Sequence, residues 1–198
     1  PDAVLFRESA DDHARRDRRA GELLADAGQI DATTLTAQER ATLSLLQREL
    51  SGLRAQHAVD SALRPWLFPA GPDFTAMFWA NSTSVGDAAT ATLYVERLAS
   101  LPGYLREVTT NIEAGHARGY RYPRVVLQAA AANTRGIVAA APEASAWLSP
   151  FKRSAAAAQP AVQAQQACAL VFVREALMPA LQAWAGFLES LLARGARE

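Results

Sequence analysis

The sequence has few of the residues from which common metal and redox sites are built. It contains one cysteine, Cys168, and three histidines. One cysteine cannot form an intrachain disulfide, and a cysteine-based structural zinc site needs several thiolates among its four ligands. Both kinds of framework are therefore excluded, and the cysteine content leaves the cellular compartment open.

An excess of charge of one sign is also lacking. The sequence has 20 Lys and Arg residues and 20 Asp and Glu residues, so its formal net charge is zero. Proteins that bind nucleic acid mainly through its phosphates carry an excess of basic charge. We therefore expect no nucleic acid partner. The one arginine cluster, at residues 15–19, is interleaved with acidic residues, as is typical of a solvated helix face.

Three common catalytic and phosphate-binding motifs are missing: H-E-x-x-H, G-x-S-x-G and G-x-x-x-x-G-K-[ST]. The nearest approach to a metal motif is Glu113-x-x-His116, which places two potential ligands on adjacent helical turns. Di-iron bundles need two such motifs and two further Glu residues, so a solvated or helix-capping pair is the favoured interpretation. We predict no catalytic residue and no cofactor in this chain, with Glu113 and His116 as weak metal candidates.

What the sequence does contain is helical periodicity. Thr36-Ala37-Gln38-Glu39 has the form of a capping box and predicts the start of a long helix. Leu43, Leu46, Leu50 and Leu53 then recur at spacings of three and four, which predicts an apolar stripe facing other helices. His57 continues this stripe and is expected to be a buried, hydrogen-bonded histidine. No strand alternation occurs, so we predict an all-α fold of six or seven helices.

The chain is predicted to form a single helical domain, residues 1–198. Its blocks are a helical hairpin at 1–60, an aromatic-rich loop at 61–87 and a helical bundle at 88–198. Within the bundle, Gly115 and Gly119 indicate close packing or helix capping. Pro179 lies inside the last helical stretch and predicts a kink or two helices meeting near Met178.

The predicted loop at 61–87 is rich in proline and glycine and holds several aromatic residues, among them Trp66, Phe74, Phe78 and Trp79. Ordered loops of this length are uncommon inside a compact domain and are often binding or lid segments. The alternative is that the aromatic side chains only anchor the loop to the core, and this interpretation is favoured.

No export signal and no membrane span are predicted. The uncharged stretch 154–173 is long enough to cross a bilayer, but it carries four glutamines and Pro160, so we interpret it as a helix outside the membrane. The sequence begins with Pro1 rather than Met. We therefore expect it to be a piece of a longer protein.

Two motifs in the central segment carry a family resemblance: Tyr94-x-x-Arg97-Leu98-x-x-Leu101-Pro102 and Asn111-Ile112-x-x-Gly115-x-x-x-Gly119-Tyr120-x-x-Pro123-Arg124-Val125-Val126. In this pattern, and in its flanks, the chain resembles the bacterial family known as domain of unknown function 885. The resemblance implies a largely helical protein similar to zinc metallopeptidases. It also implies an H-E-x-x-P-G-H type motif, supplying the metal ligands and the general base, in a later part of the polypeptide.

No residue of this chain matches that metal motif, so the resemblance assigns it no ligand and no base. It implies instead an N-terminal helical part that packs beside the catalytic C-terminal part of the same polypeptide and helps to form a channel for a peptide substrate. Trp66, Phe74, Phe78 and Trp79 are our candidates for the channel wall. The chain would be inactive alone, and zinc would be bound by the full-length parent.

A free-standing, non-catalytic helical binding or scaffold module is the alternative function. The resemblance also implies a periplasmic or lipoprotein-anchored location rather than a cytoplasmic one, because members of the family often bear export or lipoprotein signals.

Overall fold

The computed structural model describes residues 7–197. The two ends of the predicted domain, residues 1–6 (which include Pro1) and residue 198, lie outside the described residues. Within residues 7–197 there are seven helices of eleven residues or more and no β-strand, which confirms the all-α prediction. In chain order they are α1 (Ala10–Gly28), α2 (Ala37–Ala58), α3 (Pro72–Ser82), α4 (Ala88–Ala99), α5 (Leu101–Ala117), α6 (Arg124–Val138) and α7 (Pro160–Ala193). Short helical turns connect them, including a four-residue helix at Ser149–Lys152.

The first two helices pack along each other as a hairpin. The predicted capping box at the start of α2 is confirmed. The Glu39 backbone N–H donates to the Thr36 hydroxyl at 3.3 Å, and the Thr36 backbone N–H donates to the Glu39 carboxylate at 2.8 Å. These bonds satisfy two groups that have no partner within the helix, so α2 begins at Ala37.

The prediction that the leucine stripe of α2 faces other helices is wrong for half of its members. Leu50 is the one buried residue of α2, whereas Leu46 and Leu53 remain about half exposed, at 46% and 54%. His57, expected to be buried, is exposed as well. The physical reason is that α1 covers only one side of α2, so a stripe wider than that contact extends into solvent.

The predicted loop at 61–87 is also partly wrong, because α3 occupies its centre. Pro72 stands at the first helical position, where its missing N–H leaves no bond unmade and its fixed φ suits a helix. Gly71 precedes it as the N-cap. The helix-breaking residues thus mark the start of a helix here and do not interrupt one.

The core of the molecule lies among α3 to α7, with α7 packed against α4, α5 and α6. The largest fully buried side chains are those of Trp147, Tyr94, Phe151, Leu98 and Leu101. By length and composition α7 could cross a membrane, a property that the core helices of other proteins share.

The long helix α7 changes its hydrogen-bonding pattern where Pro179 predicted a kink or junction. A π-helical segment, Val173–Leu177, is followed by regular α-helix from Met178. Pro179 has no N–H to donate to the preceding turn, and its ring crowds that turn. The wider π turn ends at Leu177, directly before Met178, where the sequence predicts a kink or a junction of two helices.

The two glycines at the end of α5 act as the sequence predicts. A Cβ on Gly115 would lie 2.1 Å from the Leu63 carbonyl oxygen, so only glycine lets α5 touch the turn Ser61–Leu63 so closely. Gly119 has a φ of +90° and donates its N–H to the His116 carbonyl oxygen at 3.0 Å. With the Tyr120 N–H bonded to the Gly115 carbonyl oxygen, this ends the helix as a Schellman motif.

Candidate functional site

The candidate site is built on α3, which a buried carboxylate fixes at its N-terminal end. Asp73 is 3% exposed. Its Oδ2 accepts hydrogen bonds from the Thr134 hydroxyl at 2.9 Å and from the Asn133 side-chain amide at 3.1 Å, both on α6. A buried carboxylate is stable only when its oxygens are hydrogen-bonded, and the positive end of the helix dipole favours it further. Asp73 therefore fixes the start of α3 to α6.

The C-terminal end of α3 is fixed by a cation. Arg153 donates from Nη2 to the Asn81 carbonyl oxygen at 2.7 Å, and the Ser149 hydroxyl donates to the Asn81 side-chain oxygen at 3.0 Å. A cation at the C-terminus of a helix satisfies terminal carbonyls and complements the dipole. Since both ends are fixed to other elements, α3 presents its outer face as a rigid surface.

That outer face carries two phenylalanines whose rings stack on each other. Phe74 and Phe78 are one helical turn apart, with ring centroids 6.5 Å apart and planes inclined by 20°. They are 43% and 64% exposed, whereas Ala76 and Ala80 on the opposite side of the helix are buried. Exposed aromatic surface of this kind is a common feature of binding sites. We call Phe74 and Phe78 the aromatic face.

Trp79, the third α3 residue proposed for the channel wall, is partly buried and packs against the core, so it does not belong to this face. Its ring stacks on Tyr94 with centroids 5.1 Å apart, and Tyr94 meets Phe151 edge-on at 5.5 Å. The Tyr94 hydroxyl donates to the Trp147 carbonyl oxygen at 2.7 Å, and burial raises the pKa of Tyr94 above its usual range. For Trp79 the anchoring role is therefore the observed one.

Trp66, the fourth candidate, stands in the segment before α3 and is 69% exposed. The segment is fixed on either side of it, because Leu67 is buried and the Pro65 carbonyl oxygen accepts a 2.8 Å hydrogen bond from the Tyr122 hydroxyl. No ring contact joins Trp66 to Phe74 or Phe78 in the part of the chain that the structure describes. The structure thus brings together two of the four candidates.

The structure places the two weak metal candidates in different settings: Glu113 pairs with an arginine, and one ring nitrogen of His116 is buried. Glu113 forms a bidentate ion pair with Arg194, with both N–O distances 2.9 Å, and this partner holds the pKa of the Glu113 carboxyl below its usual range. The His116 Nε2 is buried without a hydrogen-bond partner, and burial lowers the pKa of that ring. Among residues 7–197 no three His, Cys, Asp or Glu side chains are grouped as metal ligands.

Sequence reasoning missed the polar link formed by Asp73, Asn133 and Thr134. The residue type of Asn133 predicts a side chain that faces water, but the structure shows it half-buried and bonded to Asp73. A signal is present in the sequence, since an acidic residue directly after Gly71-Pro72 is typical of the first turn of a helix. The long-range partner on α6, 60 positions later, has no local signature.

One comparison with known proteins identifies a family, and another shows a shared fold. The family model of DUF885, a bacterial protein of unknown function, matches residues 2–198. No curated protein sequence matches the chain. Among solved structures, the chain is similar to a candidate lipoprotein from Colwellia psychrerythraea, with a TM-score of 0.76 and 15% sequence identity. The match covers 99% of this chain and 36% of that one, so the chain spans about a third of the length of that protein and shares its fold there.

Proposed function

The chain belongs to the bacterial protein family of unknown function DUF885, and from this premise we propose that it is the N-terminal helical part of a larger metallopeptidase-like hydrolase. In this proposal it supplies one wall of the substrate channel and no part of the reacting centre. The aromatic face is the observation that carries the proposal.

Exposed aromatic rings on a rigid helix are unfavourable unless something covers them. Fully burying a Phe side chain contributes about 1.5–3 kcal/mol, and part of this gain is forgone while Phe74 and Phe78 remain partly exposed to water. A peptide that passes over the aromatic face would cover these rings with its own apolar side chains. Because α3 is fixed at both ends, α3 itself would lose little conformational entropy when the peptide binds.

The second half of the proposal concerns the partner of this chain. The Colwellia psychrerythraea chain extends far beyond the matched third. We propose that the C-terminal, catalytic part of the same polypeptide packs beside the bundle and closes the channel opposite the aromatic face. The half-exposed leucines of α2, Leu46 and Leu53, are the natural contacts for it.

Zinc, where the parent protein uses it, would be bound outside this chain. The donor groups of residues 7–197 do not fit such a site, because Glu113 is held by Arg194 and no third ligand accompanies it and His116. A structural or catalytic zinc needs at least three protein ligands. We therefore assign no metal ligand and no proton-transfer step to this chain.

We further propose a periplasmic or lipoprotein-anchored location. The support is the description of the similar solved structure as a candidate lipoprotein, together with the bacterial distribution of the family.

The proposal is tested by removing the aromatic face in the full-length protein. We expect Phe74→Ala and Phe78→Ala each to lower kcat/KM for peptide hydrolysis about tenfold, mainly through KM, because each ring would contribute to binding and not to the chemical step. Val125→Ala is the matched control, since Val125 is an apolar residue 69% exposed on α6. Unchanged hydrolysis in both Phe variants, with stability preserved, would rule out the channel role.

A second observation distinguishes this proposal from the alternative function, a free-standing binding module. Reading the gene beyond Glu198 for an H-E-x-x-H or H-E-x-x-P-G-H motif decides between the two functions. A frame that ends at Glu198 would leave the binding module as the function.

A further inference from the structure

A second surface of the molecule concentrates positive charge. A cavity of about 470 Å³ lies where the turn between α5 and α6 meets the segment before α3 and the chain that follows α7. Among the described residues that line it, the charged ones are all arginines: Arg64, Arg121 and Arg197. We call this cavity the arginine cleft.

Several arginines elsewhere in the molecule are neutralised by carboxylates, as in the pairs Arg118–Asp60, Arg135–Glu189, Arg174–Glu143 and Arg194–Glu113. The three arginines of the cleft differ. Arg64 donates to the Val59 carbonyl oxygen at 3.2 Å, and Arg121 donates to the carbonyl oxygens of its neighbouring turn. None of the three pairs with a carboxylate of residues 7–197. Among the lining residues that the structure describes, these three positive charges therefore have no acidic counterpart.

The backbone around the arginine cleft is held in place by hydrogen bonds between distant segments. The Arg197 N–H donates to the Tyr122 carbonyl oxygen at 2.9 Å, and the Arg124 N–H donates to the Arg197 carbonyl oxygen at 2.8 Å. The Tyr122 hydroxyl binds the Pro65 carbonyl oxygen at 2.8 Å. The three segments that carry the arginines are therefore fixed to one another before any ligand arrives.

One of the guanidinium groups is also oriented by an aromatic ring. Arg64 lies over the ring of Tyr120, with Cζ 5.0 Å from the ring centroid. Stacking occupies the face of a guanidinium and leaves its N–H groups free to donate in its plane, which is the geometry in which arginine binds carboxylate and phosphate oxygens.

We propose that the arginine cleft binds an oxyanion, the carboxylate or phosphate group of a small ligand. The volume is within the range of small-molecule sites and larger than a single phosphate ion requires, so the oxyanion would be one group of a larger molecule. Charge-assisted hydrogen bonds from arginine to such groups are strong, and forked donors fit two oxygens at once. The proposal is independent of the peptidase role proposed above.

The test is calorimetric titration of the chain with inorganic phosphate and, separately, with citrate, with glycerol as an uncharged control. We expect saturable, salt-sensitive binding of at least one of the two anions and none of glycerol. Binding of phosphate but not citrate identifies a phosphate ligand, and the reverse identifies a carboxylate ligand. Either result supports the site.

Variants then locate the binding. Arg121→Gln and Arg197→Gln are each expected to weaken it about tenfold or more, the loss typical of one charge-assisted hydrogen bond. Arg197→Lys keeps the charge but loses the forked donor, so an intermediate loss is expected. Arg48→Gln removes an exposed arginine of α2, outside the cleft, and is expected to leave affinity unchanged. Circular dichroism melting confirms that the variants are folded.

Three results would overturn the proposal: no saturable binding of either anion, an equal loss of affinity in Arg48→Gln and in the cleft variants, or abolished binding in Glu198→Gln. Glu198 lies outside the described residues, and it directly follows Arg197 in sequence. Glu198→Gln is therefore measured too. Equal or tighter binding agrees with an arginine site, whereas abolished binding would show that the arginine cleft is not the determinant.

Discussion

The α1–α2 hairpin and the bundle of α3 to α7 both contain helices with a periodic apolar stripe, but the two regions bury their helices to very different extents. Helix α2 has 22 residues and buries one, Leu50. Helix α5 has 17 residues and buries seven, including Leu105 and Ile112. Both sequences show apolar residues at spacings of three and four. The difference shows that periodicity predicts where the apolar side of a helix is, but not whether another element covers it.

The comparison also indicates where each region obtains its stability. In the bundle, apolar burial is the dominant favourable contribution. In the hairpin, helix caps and one line of contact between α1 and α2 contribute a larger share, and apolar surface remains for a partner. If the C-terminal part of the polypeptide covers α2, as proposed, the two regions become equivalent in the full-length protein.

The largest predicted effect is the contrast between two leucines. Leu98→Ala removes a fully buried side chain and is expected to lower the free energy of unfolding by about 2–5 kcal/mol. Leu53→Ala, at a half-exposed position of α2, is expected to change it by less than about 0.5 kcal/mol. Urea denaturation of the 198-residue chain measures both values. Similar losses for the two variants would show that Leu53 on the hairpin is buried to the same extent as Leu98 in the bundle.

Two glycines give the next largest contrast. Gly115→Ala places a methyl group 2.1 Å from the Leu63 carbonyl oxygen, so the junction between hairpin and bundle must shift, at an expected loss of about 1–3 kcal/mol. Gly52 lies inside α2, and no other element comes within 4 Å of the position that a Cβ would take there. Gly52→Ala is expected to stabilise the chain by about 0.5–1 kcal/mol through helix propensity. Thermal melting of the two variants shows directly whether each substitution lowers or raises stability. A stable Gly115→Ala variant would contradict the close approach.

Local signals predict much of the fold. The capping box at Thr36 and the helix end at Gly119 depend on residues within one or two turns, so the sequence alone identifies them. Pro179 similarly predicts the irregular turn of α7. The sequence predicts a loop at 61–87 because prolines and glycines are typical of loops. The prediction is wrong at the centre of the segment because Gly71-Pro72 is also how a helix begins.

The candidate site is less predictable, because its properties depend on contacts between distant parts of the chain. Aromatic content singles out Phe74, Phe78 and Trp79 together, but only the position of α4 decides that Trp79 stacks on Tyr94 while the other two face solvent. Likewise His57 continues an apolar stripe in sequence, yet it is exposed, because α1 covers only one side of α2. Side-chain type indicates what can bind, and tertiary packing determines which residues are available.

A third prediction compares two threonines in the same local setting. The hydroxyls of Thr134 and Thr42 each lie 3.0 Å from the carbonyl oxygen four residues earlier in their helix. The Thr134 hydroxyl is buried, however, and lies 2.9 Å from the Asp73 carboxylate, to which it donates its one proton. Thr134→Val leaves that carboxylate with one donor fewer and is expected to lower the free energy of unfolding by about 1–3 kcal/mol.

The matched substitution Thr42→Val, on the exposed surface of α2, is expected to change the free energy of unfolding by less than about 0.5 kcal/mol. Urea denaturation of the two variants under identical conditions is the measurement. Equal effects would mean that the hydrogen bond to Asp73 does not fix α3 to α6.

The smallest effect concerns the ion pairs of the two regions. Glu113 and Arg194 join α5 to the end of α7 through two 2.9 Å contacts, whereas Asp17 and Arg54 join α1 to α2 through one contact of 3.3 Å. Both pairs are substantially solvent-exposed, so Glu113→Gln is expected to lose about 0.5–1 kcal/mol and Asp17→Asn less than about 0.5 kcal/mol.

The pH dependence of the Glu113 pair follows from the pKa of its carboxyl, which hydrogen bonding to Arg194 holds below the ordinary value of 4.5. Because the folded-state pKa is lowered, the stabilisation is fully present above pH 4.5 and is lost as the pH falls through the folded pKa. Wild type and Glu113→Gln should thus differ in stability at about pH 7 and converge on acidification. A difference that persists unchanged at about pH 2–3 would assign the effect to packing of the side chain and not to its charge.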